Sequence, residues 1–548
     1  MRFLVVFFLF LGLNLNAQQR YYFVAFKDKP NYKIQLYEPA SYISIRAIER
    51  RTRNRVPLNV NDVPPDSAYL AKLSELPLLM FGNSRWFNGT VVLSDNKGII
   101  DSIKALPFVS KVTYVGRAFN YDESDESTEN SLENQIKILE QSFENKLKKI
   151  DTFVAGRSYF QINQLNDNSL ITNGTDGKNV LIAVLDAGFK NVDKLAPFQH
   201  LFRDKKIVAA FDFVEKEEEV FEDDDHGLAV LSCLAAKQKG VILGTAPEAN
   251  YLLLRSENSA NEYLVEEYFW ALAAEYADSA GADIINSSLG YTKHDEKSMG
   301  HKFSELDGKT TIVTQAAEIA ASKGILVVVS AGNEGDDPWR QISAPADGEH
   351  VLTVGAVDRF GAYVGFSSVG PTADKRMKPD LSAFGKGTVL IARDGKVFEG
   401  NGTSYACPLI SGLAAQLLQL APLSSAEKLK EVLVLSSNHY FKQDKYIGSG
   451  LPNMELAAKM IQAKTDTIID LVELADNFLH ITLFCRNAQK IVVTIKEPVE
   501  GTIEKVSLNL KKGLNRIVLK GYKKRPAGLY QLSAEFVNKI VKVDFIKP

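Results

Sequence analysis

Between residues 152 and 464, short apolar runs alternate with helix-length segments, and this alternation leaves few folds open to the chain. The apolar runs predict strands at Val180–Leu185, Tyr251–Arg255, Asp283–Asn286, Leu326–Ser330 and Val351–Val357. The intervening segments predict helices at Gly227–Ala236, Glu262–Ala280, Thr310–Lys323 and Ser404–Leu420. Strands separated by helices of this length pair in parallel through right-handed crossovers. We therefore expect an α/β domain whose parallel sheet has helices on both faces.

The regions on either side of this domain have different patterns. Residues 18–119 mix strands and helices and predict a small α+β domain. Its strands are expected at Tyr21–Phe26, Trp86–Leu93 and Val109–Val115, and its helices at Ser44–Arg55, Asp66–Leu73 and Gly98–Leu106. Residues 120–151 are polar and highly charged, which is typical of an exposed linker where proteolysis concentrates.

Residues 465–548 consist of short β-like runs joined by turn signals. The runs are Phe478–Phe484, Lys490–Ile495, Val506–Leu510, Arg516–Leu519, Leu529–Phe536 and Ile540–Phe545. Short strands at this spacing predict a small antiparallel β-sandwich.

The composition and the N-terminus indicate an exported globular protein. Hydrophobic residues make up 45% of the 548 residues and charged residues 24%, which is ordinary for globular proteins. A net charge of −3 gives no reason to expect nucleic acid as a partner. Residues 1–17 combine a basic start, an apolar run and a small residue, Ala17, before a cleavage point. They predict a signal peptide and hence a secreted or cell-surface location.

An acid, a base and a nucleophile occur along the α/β domain, each in a distinctive context. Asp186 ends an apolar strand, His226 lies before a helix in Asp225-His226-Gly227, and Ser404 begins a helix-like run after Gly402. A serine hydroxyl attacks well only when a base takes its proton. Imidazole is that base near neutral pH, and a carboxylate fixes its tautomer.

These residues carry a resemblance to the subtilases, whose triad occurs in the order Asp, His, Ser. Ala183–Gly188 resembles the aspartate motif, Asp225–Gly227 the histidine motif and Gly402–Pro408 the serine motif. Leu228 stands where the family usually has Thr, and Tyr405 and Leu409 where it has Met and His. The resemblance covers residues 152–462 and implies a subtilisin-like serine endopeptidase that forms an acyl-enzyme, with Asp186, His226 and Ser404 as catalytic residues.

The resemblance also implies how substrate is bound. Ser330–Gly335 resembles the oxyanion-hole segment, with Asn333 as the side-chain donor. Asn286–Gly290 resembles the segment whose backbone pairs with substrate as an added strand. The substrate-binding residues implied are Ser288, Leu289, Gly290, Ser330, Ala331 and Gly332. Tyr291–Asp307 looks like an insertion, and its conformation affects the specificity pocket.

Further parts of the chain acquire roles through the same resemblance. Residues 18–119 resemble the propeptide that assists folding and occupies the cleft; an accessory domain is the alternative. Roughly the last forty residues resemble the sorting domain of type IX secretion cargo, without its usual opening element, and imply secretion machinery as a partner. A plain β-sandwich accessory domain is the alternative there. The substrates expected are proteins or peptides, and a monomer is expected.

Calcium is the cofactor that the resemblance implies, since subtilases often bind it. An acidic run from Glu215 to Asp225 offers oxygen ligands, but its spacing matches no defined calcium loop. No metal ligand is assigned. Cys233 and Cys407 form a disulfide if the two active-site helices pack side by side; two buried thiols are the simpler expectation.

The sequence leaves two alternatives to the protease. An α/β-hydrolase esterase needs Asp and then His after the serine, whereas only His439 and His480 follow Ser404. A non-enzymatic binding module on a protease-like fold is favoured only by the departures at Leu228 and Leu409. Apart from His226, the six histidines have polar or loop-like neighbours and are expected at the surface; they are His200, His294, His301, His350, His439 and His480.

Overall fold

A computed structural model describes most of the chain. The described residues are 19–30, 32–119, 155–462, 467–475, 478–485, 488–496, 503–511, 513–520, 528–536 and 539–547. The expected signal peptide at 1–17 and linker at 120–151 lie outside these residues. Within them, no helix combines the length and apolar character needed to cross a bilayer.

The N-terminal domain is a four-stranded antiparallel sheet with helices packed on it. The strands are β1 Arg20–Phe26, β2 Leu79–Ser84, β3 Gly89–Ser94 and β4 Val109–Arg117, in the order β2-β3-β1-β4. The helices are α1 Tyr32–Gln35, α2 Ile45–Asn54, α3 Ser67–Ser74 and α4 Lys97–Lys104. Asp66 caps α3, as its position predicts, by accepting a hydrogen bond from the Ala68 N–H. Strand β2 was not predicted from the sequence.

The central domain is built on seven parallel strands. In chain order they are β5 Leu181–Asp186, β6 Ile207–Asp212, β9 Asn250–Arg255, β10 Ile284–Ser287, β11 Leu326–Ser330, β12 Leu352–Val357 and β13 Leu381–Phe384. Short antiparallel pairs are formed by β7 Lys237–Gln238 with β8 Ile242–Leu243, and by β14 Lys386–Ile391 with β15 Val397–Asn401. The helices are α5 Tyr159–Asn163, α6 Asn168–Thr172, α7 Gln199–Arg203, α8 His226–Ala235, α9 Val265–Ala280, α10 Ile312–Ser322, α11 Thr403–Leu420, α12 Ala426–Leu435 and α13 Met454–Gln462.

The spatial order of the sheet is β13-β12-β11-β10-β5-β9-β6. Every neighbouring pair is parallel, and apolar clusters cover both faces. The predicted fold class is thus confirmed, and each predicted strand of this domain lies within one residue of its observed bounds. The unpredicted strands, β6 and β13, are the two edges. Strand order reverses between β5 and β10, and ligands of such sheets bind at this switch point.

The C-terminal region contains seven antiparallel strands in two sheets. They are β16 Thr467–Ala475, β17 Phe478–Cys485, β18 Gln489–Lys496, β19 Ile503–Leu510, β20 Gly513–Lys520, β21 Gly528–Phe536 and β22 Lys539–Lys547. Their orders are β16-β17-β20 and β19-β18-β21-β22. All six strands predicted here are present, and β16 is an addition.

The N-terminal domain packs on α9 through apolar and ionic contacts. The ring of Phe23 stacks on that of Tyr268, with centroids 4.4 Å apart. The carboxylate of Asp278 pairs with Arg50, with Arg51 at 2.8 Å and with Arg85 at 2.6 Å, and all four side chains are buried. Two arginines of α2, Arg50 and Arg51, therefore face the acidic end of α9.

Replacing Asp278 by Asn should strongly destabilise this docked arrangement. Three buried guanidinium groups would lose a shared carboxylate, and breaking a buried ion pair costs about 3–5 kcal/mol. Urea denaturation followed by tryptophan fluorescence measures the change, since Trp86 and Trp270 belong to one buried cluster across the contact. Asp101→Asn is the matched control, because the exposed Asp101–Lys104 pair should contribute below about 1 kcal/mol. Equal losses in the two variants would contradict a stabilising network.

Candidate active site

Asp186 ends the central strand β5 and is fully buried. Its Oδ1 accepts hydrogen bonds from the Ala187 N–H at 2.9 Å and from His226 Nδ1 at 2.7 Å. Its Oδ2 has no hydrogen-bond partner among the described residues. Because a carboxylate can only accept, the Nδ1 of His226 carries a proton, and its Nε2 is the nitrogen left to act as a base.

His226 is the first residue of α8, and its N–H donates to Asp224 Oδ1 at 2.7 Å. Gly227 allows the helix to start close to β5, because a Cβ there would lie 2.3 Å from the Gly188 carbonyl oxygen and 3.0 Å from the Asp186 Cβ. Leu228 is fully buried in the apolar core. The leucine that stands in place of the family's usual Thr is therefore a core residue.

The charges around His226 favour its protonated form. Burial alone lowers the pKa of His226, but the charge of Asp186 and the hydrogen bond with it outweigh burial and raise the pKa to about 9. Glu257 and Asp224 add negative charge in the same direction. The side chain keeps 32% of its surface exposed, so the imidazole remains open to the cleft.

Ser404 is the second residue of α11, and a proline one turn later determines its contacts. Pro408 has no N–H for the carbonyl of Ser404, four residues earlier. That carbonyl instead accepts a hydrogen bond from the Ser288 hydroxyl at 2.8 Å. In return, the Ser404 hydroxyl donates to the Ser288 carbonyl at 3.2 Å. Ser404 is thereby connected to the segment that follows β10.

Asn333 lies in the loop after β11 and is exposed. Its Oδ1 accepts from the Thr403 N–H at 2.9 Å and from the Thr403 hydroxyl at 3.0 Å. This pairing leaves the amide nitrogen as the end of the side chain available to a ligand. The backbone N–H of Ser404, in the first turn of α11, is a second donor of the kind that helix N-termini offer to anions.

The remaining predicted residues line the same end of the sheet. Leu289 and Gly290 have no backbone hydrogen bond to another described residue, so their N–H and C=O groups can pair with an extended peptide. At Gly290 a Cβ would lie 2.2 Å from Ser343 Oγ. Ser330, Ala331 and Gly332 follow β11, and the N–H of Gly332 donates to the Thr403 hydroxyl at 3.2 Å.

Two carboxylates of the acidic run before His226, those of Glu215 and Asp223, are paired with an arginine. Arg255 is 3% exposed, and its Nη1 lies 2.6 Å from Asp212, 3.2 Å from Glu215 and 3.0 Å from Asp223. A calcium ion held by these three carboxylates would have to displace the guanidinium. The three side chains are therefore an ion-pair network, and sequence spacing could not reveal the distant arginine.

The structure also shows the state of two cysteines and the burial of the histidines other than His226. Cys233 and Cys407 are buried free thiols, which confirms the simpler of the two expectations, and no disulfide joins them. The expectation that all six further histidines are at the surface is wrong: His200 and His294 are buried, and the His301 side chain is 9% exposed. Residues with polar neighbours in sequence can still be covered by segments distant in the chain.

Two family models match separate regions of the chain. The subtilase family model matches residues 177–450, half of the chain, and a model of the Peptidase S8 propeptide domain of Bacteroidota matches residues 21–134. Subtilisin NAT of Bacillus subtilis subsp. natto is 30% identical over 305 residues, 55% of this chain and 71% of the relative. Serine protease AprX of Bacillus subtilis (strain 168) is 29% identical over 309 residues, 51% of this chain and 66% of the relative.

Among solved structures, MycP1 from Mycobacterium smegmatis is similar with a TM-score of 0.44 and 22% identity, over 57% of this chain and 86% of that one. The subtilase family model extends over the domain that contains Asp186, His226 and Ser404. The chain therefore belongs to the subtilase family of serine peptidases, and its N-terminal region contains the propeptide domain of that family.

Proposed function

We propose that the protein is an exported endopeptidase in which Asp186, His226 and Ser404 form the catalytic triad. The observation that carries this proposal is the hydrogen bond of 2.7 Å between the buried Asp186 and His226 Nδ1, at the switch point of the sheet where α11 also begins. A buried carboxylate beside an imidazole that is open to a cleft has the charge distribution that general-base catalysis requires.

The reaction proceeds in steps that the contacts support. An extended peptide pairs with Leu289 and Gly290, and its scissile carbonyl lies against Ser404. The Ser404 hydroxyl leaves its hydrogen bond to the Ser288 carbonyl, gives its proton to His226 Nε2 and attacks the carbonyl carbon. Asp186 stabilises the imidazolium that forms. His226 then protonates the leaving amine, and water hydrolyses the acyl-enzyme by the same route.

The negative charge of the tetrahedral intermediate is stabilised by Asn333 and the Ser404 N–H. Since the Asn333 oxygen is held by Thr403, the amide nitrogen is oriented before substrate arrives. A donor that needs no reorganisation stabilises the transition state more than the ground state.

The rest of the chain serves export and maturation in this proposal. Residues 1–17 are a signal peptide, 18–119 an inhibitory propeptide and 120–151 the linker in which it is cleaved, with catalysis in 152–464. Glu296 accepts hydrogen bonds from the Tyr114 hydroxyl at 2.6 Å and from Arg117 Nε at 2.9 Å. Both donors lie near the end of the N-terminal domain, so these contacts support its docking beside the substrate-binding segment. Residues 465–548 direct sorting by secretion machinery, and the mature enzyme is a monomer.

Processed protein incubated with a fluorophosphonate probe should be labelled at Ser404. A phosphonylated serine requires a base that activates its hydroxyl, so labelling should be lost in Ser404→Ala and retained in Ser322→Ala, whose side chain is exposed. Peptide mapping by mass spectrometry locates the label. A folded, propeptide-free protein that is not labelled would reject the protease in favour of a binding module.

Replacing Asn333 by Ala should lower kcat by about 10²–10³ with little change in KM, because the lost donor acts mainly in the transition state. The residue is exposed, so the fold should be retained. Steady-state kinetics on a peptide substrate provide the measurement. Asn401→Ala, another exposed residue, should leave kcat unchanged. A larger effect on KM than on kcat would place Asn333 in ground-state binding instead.

The value of kcat/KM should rise with pH and level off near pH 9, where His226 loses its proton. Asp186→Asn should move this limb toward the ordinary histidine pKa of about 6.5 and lower the maximum about 10⁴-fold. The protonated pair also stabilises the fold below about pH 6.5, and this contribution is lost as pH rises through about 9.

Asp204→Asn, an exposed residue paired with Arg203, is the control and should leave the pH profile unchanged. A wild-type profile that levels off near pH 6.5 would show that Asp186 does not raise the pKa of His226.

A further inference from the structure

Three side chains away from the catalytic residues converge at one buried point. Glu267 lies in the first turn of α9, and His294 and His301 lie in the loop between β10 and α10. This loop contains Tyr291–Asp307, the segment that looks like an insertion in the sequence. One ligand atom from each of the three side chains lies within 4.8 Å of the others.

Both histidines present Nε2 to the same carboxylate oxygen. Glu267 Oε1 lies 2.5 Å from His301 Nε2 and 3.7 Å from His294 Nε2. The two rings are nearly perpendicular, with an interplanar angle of 86° and centroids 5.4 Å apart. Two imidazole nitrogens that approach one carboxylate oxygen from different directions can contribute separate ligands to a single ion.

His294 is the part of this cluster that protein contacts leave unexplained. Its side chain is fully buried, yet neither ring nitrogen has a hydrogen-bond partner among the described residues. Buried polar groups without a partner are rare, because the desolvation of each one opposes folding. The proposed catalytic steps make no use of this side chain. A ligand that binds at Nε2 would satisfy one of the two nitrogens.

The carboxylate is held in place on its other side. Glu267 Oε2 accepts a hydrogen bond from the Val313 N–H at the start of α10, at 2.9 Å, and the side chain is fully buried. Outer hydrogen bonds of this kind orient the carboxylates that bind metals. In the loop itself, the His301 N–H donates to the Thr292 carbonyl at 2.9 Å, which fixes the turn between the two histidines.

We propose that Glu267, His294 and His301 bind a divalent transition-metal ion of the zinc class. Two histidines and one glutamate are a known zinc ligand set, with water in the fourth position. Ligands 2.0–2.2 Å from a tetrahedral ion lie roughly 3.3 Å apart, so the His294–Glu267 separation already fits and the His301–Glu267 contact must open by about 1 Å. Calcium, which prefers oxygen ligands, is not the expected ion.

The ion would link the loop to α9 close to two functional surfaces. The loop continues directly from Ser288–Gly290, and its Glu296 accepts hydrogen bonds from Tyr114 and Arg117 of the propeptide domain. The metal is therefore structural: it holds the insertion against α9 and fixes the edge on which substrate and propeptide are proposed to bind. This inference does not depend on the catalytic roles of Asp186, His226 or Ser404.

The test uses the full chain with Ser404→Ala, to prevent self-digestion, and an affinity tag free of histidine. After dialysis against a chelator, calorimetric titration with ZnCl₂ should give one bound ion per chain, confirmed by elemental analysis. Titration with Co²⁺ should give the visible absorption of a tetrahedral site. Thermal unfolding should shift upward with Zn²⁺, since a ligand that binds only the native state stabilises it.

Three variants of this chain make the result specific. His294→Phe, which fills the same buried space without ring nitrogens, and His301→Gln should each weaken zinc binding by more than about 100-fold. His350→Gln is the matched control, because His350 also contacts a glutamate, Glu318, at 2.5 Å but is exposed, and the described residues place no third ligand beside the pair. It should bind zinc as the wild type does.

The outcomes separate the proposal from its alternatives. Two results together would establish the site. His294→Phe should keep the wild-type melting temperature in the absence of metal but bind no zinc, and zinc should slow hydrogen exchange in residues 291–311 only when His294 is present. If the wild type binds no zinc, or His294→Phe binds as much as the wild type, the proposal is wrong. In that case His301 and Glu267 form only a hydrogen-bonded pair, with His294 as an aromatic packing residue.

Discussion

The whole arrangement depends on the reversal of strand order beside β5. The chain leaves this strand toward β6 and β9 on one side and later returns to β10 on the other. The connections therefore diverge, and a crevice opens at the carboxyl ends of β5 and β10. Since the strands are buried on both faces, their side chains are mostly apolar, and the groups that meet a ligand lie where the strands end. Asp186, Ser288 and Asn333 all occupy such ends.

Pro408 shows how an apparent defect in a helix contributes to the site. A proline inside a helix removes a backbone hydrogen bond, which is normally destabilising. Here the unpaired carbonyl of Ser404 is satisfied by Ser288. The same contact extends into a buried polar network, in which Asn286 Oδ1 accepts from Cys407 at 3.4 Å and from Ser411 at 2.8 Å. Helix α11 is thus fixed to the end of β10 by polar contacts as well as by packing.

Local patterns in the sequence were sufficient for the fold and for the three motifs, because strands, helix starts and glycine positions depend on neighbouring residues. The edge strands β6 and β13 were missed, although β6 has as many apolar residues as β5 and β13 is as long as β10. What distinguishes β6 is its partial exposure at the edge of the sheet, which depends on distant segments. Contacts between distant residues could not be predicted. The partner of Arg255, the burial of His294 and the pairing of Asp278 with three arginines each join segments far apart in the chain.

The buried ion pairs between the N-terminal and central domains couple the folding of the two. Arg50 and Arg51 on α2 are almost completely buried, and their carboxylate partner Asp278 belongs to the central domain. Without that domain, α2 would carry four arginines, at positions 46, 50, 51 and 53, and would lack Asp278 and Asp283, the carboxylates of the central domain that pair with them. Conversely, the acidic end of α9 would lose its buried counter-charges. Each domain therefore stabilises the other's folded form. Helix α9, on which the N-terminal domain packs, also contributes Glu267 to the cluster with His294 and His301.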